Sequence, residues 1–103
     1  MINVGIVGAT GYVGEELIAI LLRHPKTKIV YLAAKMDKPQ NISEIFHKFK
    51  NRIELTCENP DYKKIIDKCD LLFMALPHTV SMDVVPKLLK SKLRIIDLSA
   101  DYR

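Results

Sequence analysis

Glycine is confined to the first fourteen residues: Gly5, Gly8, Gly11 and Gly14 are all that the sequence has. Cysteine is scarcer still. Cys57 and Cys69 fit neither a C-x-x-C metal site nor a redox pair. With no export signal ahead of them, they are expected as reduced thiols in a cytoplasmic protein. Met1 leads straight into a strand-like run, without the basic segment and apolar stretch of a secretory signal. No apolar run exceeds the length of a strand, which argues against a membrane-spanning helix. Charge is not concentrated either. Sixteen Lys and Arg against twelve Asp and Glu leave a net +4. The basic residues are scattered, and the densest stretches, Lys48 to Arg52 and Lys87 to Arg94, are interrupted by apolar residues at amphipathic spacing. They read as solvated faces with a mild attraction for an anionic ligand, not as a nucleic-acid stripe. Repeats and low-complexity segments are absent.

What is present suits one packed domain. The chain has 103 residues, 49% of them hydrophobic, enough for a single core and too few for two. Ile2 to Val7 is a short β-branched run that stops at glycine and reads as a buried strand. Tyr12 to Arg23 has helical spacing (Val13, Leu17, Ile20, Leu21), closed by His24-Pro25. Lys28 to Ala34 is a second strand, Met36 to Asn41 a loop, and Ser43 can cap a short helix through Phe49. Ile53 to Cys57 is a weaker third strand. Asn59-Pro60-Asp61 is a helix start with a capping side chain, and that helix runs to about Lys68. Asp70 to Leu76 is a fourth strand. A helix from Thr79 or Ser81 through Lys90 follows, shortened or kinked by Pro86, and Arg94 to Leu98 is the last strand. Strands alternate with helices, and the best strands are apolar on both faces. The predicted fold is α/β: a Rossmann-like, doubly wound, mainly parallel sheet with helices on both faces.

Gly8-Ala9-Thr10-Gly11-Tyr12-Val13-Gly14 follows the first strand and opens the first helix. In that context, G-x-x-G-x-x-G serves a dinucleotide. Gly8 lets the chain turn out of the strand. Gly11 leaves room for a pyrophosphate at the backbone, and Gly14 lets helix and strand pack closely. The N–H groups of the helix start, at Tyr12 and Val13, face the phosphates, and Thr10 adds a hydroxyl. Gly5 lies inside the strand and reads as close packing. A glycine-rich turn without a ligand is the bland alternative. A P-loop is excluded because no G-K-[ST] follows. An NAD site ordinarily places an acid at the end of the second strand. Here that position reads Ala33-Ala34-Lys35, and Asp37 lies slightly too far on, between Lys35 and Lys38. A lysine there favours the extra phosphate of NADP (NADPH) over the bare ribose of NAD.

Two later stretches carry a family resemblance. Ala75-Leu76-Pro77-His78 ends the fourth strand, and Asp97-Leu98-Ser99-Ala100-Asp101-Tyr102-Arg103 ends the last. With G-A-T-G-Y-V-G-E-E-L and the R-H-P that closes the first helix, they resemble the N-acetyl-gamma-glutamyl-phosphate reductases of arginine biosynthesis, among the semialdehyde dehydrogenases. The resemblance covers the whole chain and extends loosely to Ile42 to Phe49. Thr79 departs from it, since a glycine commonly follows L-P-H. All three motifs lie at carboxyl ends of strands, where open α/β sheets bind ligands. The candidate cofactor-binding residues are therefore Gly8, Thr10, Gly11, Tyr12, Val13, Gly14, Lys35, Leu76, Pro77, His78 and Ser99.

The resemblance implies an NADPH-dependent oxidoreductase that reduces an acyl phosphate to a semialdehyde. A cysteine thiolate displaces phosphate to give a thioester, hydride reduces it, and a histidine assists proton transfer. In this family both catalytic residues lie in a downstream domain, the cysteine in an N-P-G-C-like context that this sequence lacks. Cys57 and Cys69 read as structural thiols, His78 as a loop histidine beside the nicotinamide, His24 as a helix-end residue and His47 as surface. No residue is assigned a catalytic role or a metal. Residues 1–103 are expected to be the dinucleotide-binding domain of a longer, homo-oligomeric cytoplasmic enzyme. Such a piece is expected to be inactive alone, with its last strand partly bare. The aminoadipyl-phosphate reductases remain open, since nothing here separates them. Aspartate-semialdehyde dehydrogenase is disfavoured by L-P-H with S-A-D-Y-R. An extended short-chain epimerase should show Y-x-x-x-K and an acid after the second strand. A stand-alone dinucleotide sensor would need no catalytic pair.

Overall fold

The computed structural model describes residues 1–75 and 93–98. Strand β1 (Ile2–Val7) enters the sheet at its centre and pairs in parallel with β2 (Thr27–Ala33) on one side and β5 (Leu71–Met74) on the other. Beyond β2 lie β4 (Thr56–Glu58), parallel, and β3 (Gln40–Asn41), antiparallel. Beyond β5 lies β6 (Arg94–Asp97), parallel. The order is β3-β4-β2-β1-β5-β6. The sheet is thus mainly parallel, as the sequence pattern predicts, and the chain reverses its direction of winding at β1. In open α/β sheets, such a reversal opens a crevice at the carboxyl ends of the strands.

Helix α1 (Tyr12–Leu22) returns the chain from β1 to β2. Its buried Ile18 and Leu21 join Val4, Ile6, Ile29 and Leu32 in one core. Helix α2 (Ile42–Ile45) and a 3-10 turn (His47–Phe49) close that same core with Ile42 and Phe49. Phe49 is fully buried and meets Phe46 edge-on at 5.9 Å between ring centroids. A fully buried side chain of that size contributes about 1.5–3 kcal/mol. On the opposite face, α3 (Tyr62–Lys68) sets Ile65 against Val7, Tyr31, Ala33, Leu72 and Met74. Helices therefore cover both faces, and the buried alternation along β1 serves both cores.

Several elements depart from the sequence expectation. The stretch expected as one helix from Ser43 to Phe49 breaks at Phe46, whose φ of −123° and ψ of 95° are extended. Its cap is Asn41, which accepts from the Ser43 N–H at 3.0 Å. The loop expected from Met36 to Asn41 ends in β3, too short to show a pattern. The third predicted strand, Ile53 to Cys57, forms over Thr56–Glu58 instead. At the start of α3 the cap is Asp61, whose carboxylate accepts from the N–H groups of Lys63 and Lys64, and not Asn59. The helix predicted from Thr79 or Ser81 to Lys90, with its Pro86, lies outside the described residues.

Candidate functional site

The glycine turn is built by steric exclusion. Gly8 has φ +90°, a conformation that strains any residue with a Cβ, and a Cβ there would collide with the Ala75 carbonyl. Gly14 lies against the turn itself: a Cβ would meet the Gly8 oxygen at 2.5 Å and the Ala9 backbone at 2.6 Å. Gly5 serves packing: a Cβ would lie 2.6 Å from Cys69 Sγ, and the register of β1 on β2 slips between Val4 and Gly5. Gly11 differs from all three. Its φ of −87° suits any residue, and among the described residues the single neighbour of an added Cβ is the Gly8 oxygen, 3.8 Å away. Neither backbone conformation nor packing among the described residues requires glycine there.

The turn is fixed to β2 by one carbonyl. Ala33 accepts from the Gly8 N–H at 2.7 Å and from the Ala9 N–H at 3.0 Å. Gly11 is the N-cap of α1 and has no side chain to cap that helix; its carbonyl takes the first helical hydrogen bond, from Glu15, at 2.9 Å. The N–H groups of Tyr12, Val13 and Gly14 thus have no acceptor within the helix. They lie at the positive end of its dipole, where an anion is favoured. Thr10, Gly11, Tyr12 and Val13 are exposed, Tyr12 to 90%. Lys48 of the 3-10 turn reaches Glu15 in the first turn of α1 at 2.9 Å, a surface pair.

At the carboxyl end of β2, Ala34 is buried and Lys35 exposed. The Ala34 N–H continues the ladder by donating to the Glu58 carbonyl at 2.9 Å. One residue past Lys35, the backbone of Met36 is held by the Asn59 side chain. The Met36 N–H donates to Oδ1 at 3.1 Å, and Nδ2 donates to the Met36 carbonyl at 2.7 Å. The sequence pattern offers Asn59 as a helix cap and does not reveal this contact. The signal was Pro60, which lacks an N–H just where β4 leaves the sheet. Glu58, the acid at the end of β4, is taken by Tyr31 Oη at 3.0 Å and by Lys64 Nζ at 3.1 Å. Burial first, then Glu58, pushes the Tyr31 hydroxyl well above its ordinary range, so it stays a donor to Glu58 while accepting from the Asp61 N–H at 3.0 Å.

Ala75 and Leu98 are the described residues that lead into the two later motifs. Ala75 donates to the Val7 carbonyl at 2.8 Å and lies against Gly8. Leu98 donates to Met74 at 2.7 Å. The chain therefore enters both motifs at the edge of the sheet that carries the glycine turn. Leu76, Pro77, His78 and Ser99 themselves lie outside the described residues. Both cysteines are free and buried. Cys57 is inside β4, and Cys69 ends α3 against Gly5. Burial raises each thiol to about 11, which keeps it protonated and unreactive near neutrality. His24 accepts the Lys26 N–H on Nδ1 at the end of α1, and His47 is exposed. Among the described residues, no group of His, Cys, Asp or Glu could hold a metal ion, and no helix is long and apolar enough to cross a membrane.

Residues 3–103 match the family model described as semialdehyde dehydrogenase, NAD binding domain. Over all 103 residues, the chain is 44% identical to the N-acetyl-gamma-glutamyl-phosphate reductase of Methanocella arvoryzae and covers 31% of it. It is 43% identical to that of Clostridium beijerinckii, covering 29%. The chain thus spans about a third of the length of these relatives. Among solved structures, 99% of the chain superposes with a TM-score of 0.84 on 30% of the aspartate semialdehyde dehydrogenase with NADP from Candida albicans, at 20% identity. A probable aspartate-semialdehyde dehydrogenase from Pseudomonas aeruginosa gives 0.73 at 25% identity, over 99% of this chain and 29% of that one.

Proposed function

We propose that this chain, which belongs to the semialdehyde dehydrogenase NAD-binding domain family, holds NADP(H) for an N-acetyl-gamma-glutamyl-phosphate reductase. The observation that carries the reading is Gly11: the described residues leave space where a Cβ would stand, directly at a helix start whose N-cap has no side chain. A missing side chain that neither packing nor φ demands is what the approach of a pyrophosphate would require. Gly8, Gly11 and Gly14 shape the turn, the N–H groups of Tyr12 and Val13 receive the phosphates, and the Thr10 hydroxyl adds a donor. Lys35 receives the phosphate that distinguishes NADP from NAD. Leu76, Pro77, His78 and Ser99, which lie outside the described residues, are assigned to the same cofactor by their motifs, His78 to its nicotinamide half. The bound cofactor supplies hydride for reducing an acyl phosphate to a semialdehyde.

The nucleophilic cysteine and the proton-transferring histidine belong to a part of the enzyme that follows this domain. The two cysteines present are buried and held protonated, so neither suits the role. The full enzyme acts in the cytoplasm as a homo-oligomer. The relatives named for N-acetyl-gamma-glutamyl phosphate, at 38–44% identity, favour that substrate over the aspartyl one. Titration with NADPH and NADH tests the cofactor. NADPH binds more tightly, and Lys35→Ala removes about tenfold of that preference, the effect of one charge-assisted contact. Equal affinities in the unaltered protein would refute NADP selectivity.

A further inference from the structure

We infer that Asn59 is a positioning residue for cofactor selectivity, acting through the backbone of Met36 on Lys35; this rests on the reading of Lys35 given above. Leu32 pairs with Cys57 and Ala33 with Glu58, and the Ala34 N–H reaches the Glu58 carbonyl. In a parallel ladder, the next rung would use the N–H of residue 60. That residue is Pro60, which has none. The ladder would end there and leave the chain after Ala34 unheld, just where Lys35 stands.

The Asn59 carboxamide instead holds the chain two residues further on, at the backbone of Met36. It presents an acceptor to the Met36 N–H and a donor to the Met36 carbonyl, at 3.1 and 2.7 Å. A reversed amide would set like against like at both contacts, so the hydrogen bonds themselves fix its orientation. Pro60 also confines Asn59 to extended backbone, which limits the conformations from which its side chain can depart. Lys35 is thereby bracketed: Ala34 is tied to Glu58 and Met36 to Asn59. The same strand end is tied to the glycine turn, because the Ala33 carbonyl takes the Gly8 and Ala9 N–H groups. Lys35 and the phosphate-binding turn are held in one frame, and Asn59 is its outer anchor. An exposed lysine held at its backbone loses less freedom when it meets a phosphate than one on an unheld loop.

A double-mutant cycle tests this on the full-length protein, with NADPH and NADH as probes. Asn59→Ala should weaken NADPH about three- to tenfold and change NADH by less than about twofold. In a Lys35→Ala background, the same substitution should have no effect on either. A purely structural role would weaken both cofactors alike, or weaken NADPH equally with Lys35 removed; either result overturns the inference, as does an Asn59→Ala protein with unaltered affinities. If Lys35→Ala shifts the preference and Asn59→Ala does not, the inference fails and the Lys35 reading stands. If Lys35→Ala leaves the preference intact, the Lys35 reading fails and the inference with it. Asn59→Leu, which keeps bulk and removes both hydrogen bonds, replaces Asn59→Ala should that variant not fold.

Discussion

At the scale of single residues, the three glycines of the turn fail differently when given a side chain. An added methyl at Gly14 must displace backbone atoms of Gly8 and Ala9, which cannot yield cheaply. Gly14→Ala should therefore cost about 1–3 kcal/mol despite the better helix propensity of alanine. That lowers the melting temperature by roughly 4–8 °C per kcal/mol for a domain of this size. Gly11→Ala places its methyl clear of the other described residues at an ordinary φ and should change the melting temperature little, the less flexible unfolded chain being set against alanine's poorer fit at an N-cap. Calorimetry on the two variants separates a glycine that packing requires from one that it does not. The sequence pattern alone treats them alike, because spacing does not reveal what stands opposite a Cβ. The slot at Gly14 and the space at Gly11 become visible only when the turn is folded against α1.

At the scale of elements, the clearest cap is Asp61. Its carboxylate takes two N–H groups of α3, and Asp61→Ala should lower stability by about 1 kcal/mol in urea unfolding, whereas Asn59→Ala should have a smaller effect on stability. The periodic elements were legible in the sequence: β1 begins and ends as its apolar run does, and α1 and β2 shift by a residue at their ends. The stretch from Met36 to Asn59 was not. A two-residue strand has no period, and Phe46 interrupts a pattern that reads as one helix. Asn59 and Asp61 are both good caps by composition. Asp61 caps α3 because the Asn59 side chain is already held by both backbone groups of Met36, past the end of β2. Local propensity carries no information about that partner, 23 residues away.

At the scale of the whole molecule, the sheet separates two cores, and a protonated thiol is buried in each. Both thiols titrate near 11 in the folded chain against an ordinary 9.0. Their contribution to stability is complete below pH 9 and is lost as the pH rises towards 11, because the unfolded chain ionises first. It amounts to on the order of 1–3 kcal/mol per thiol. Denaturant unfolding at stepped pH should show that decline, and it should flatten in Cys57→Ala with Cys69→Ala. The crevice where the chain reverses its winding brings the glycine turn, the end of β2 and the entries to both later motifs to one edge. Its occupation by a dinucleotide is tested most directly with Gly11→Val. NADPH titration should show binding by the unaltered protein and none by the variant, whose melting temperature and far-ultraviolet dichroism remain near native. Undiminished NADPH binding by a folded Gly11→Val protein would show that the phosphates do not rest on this turn.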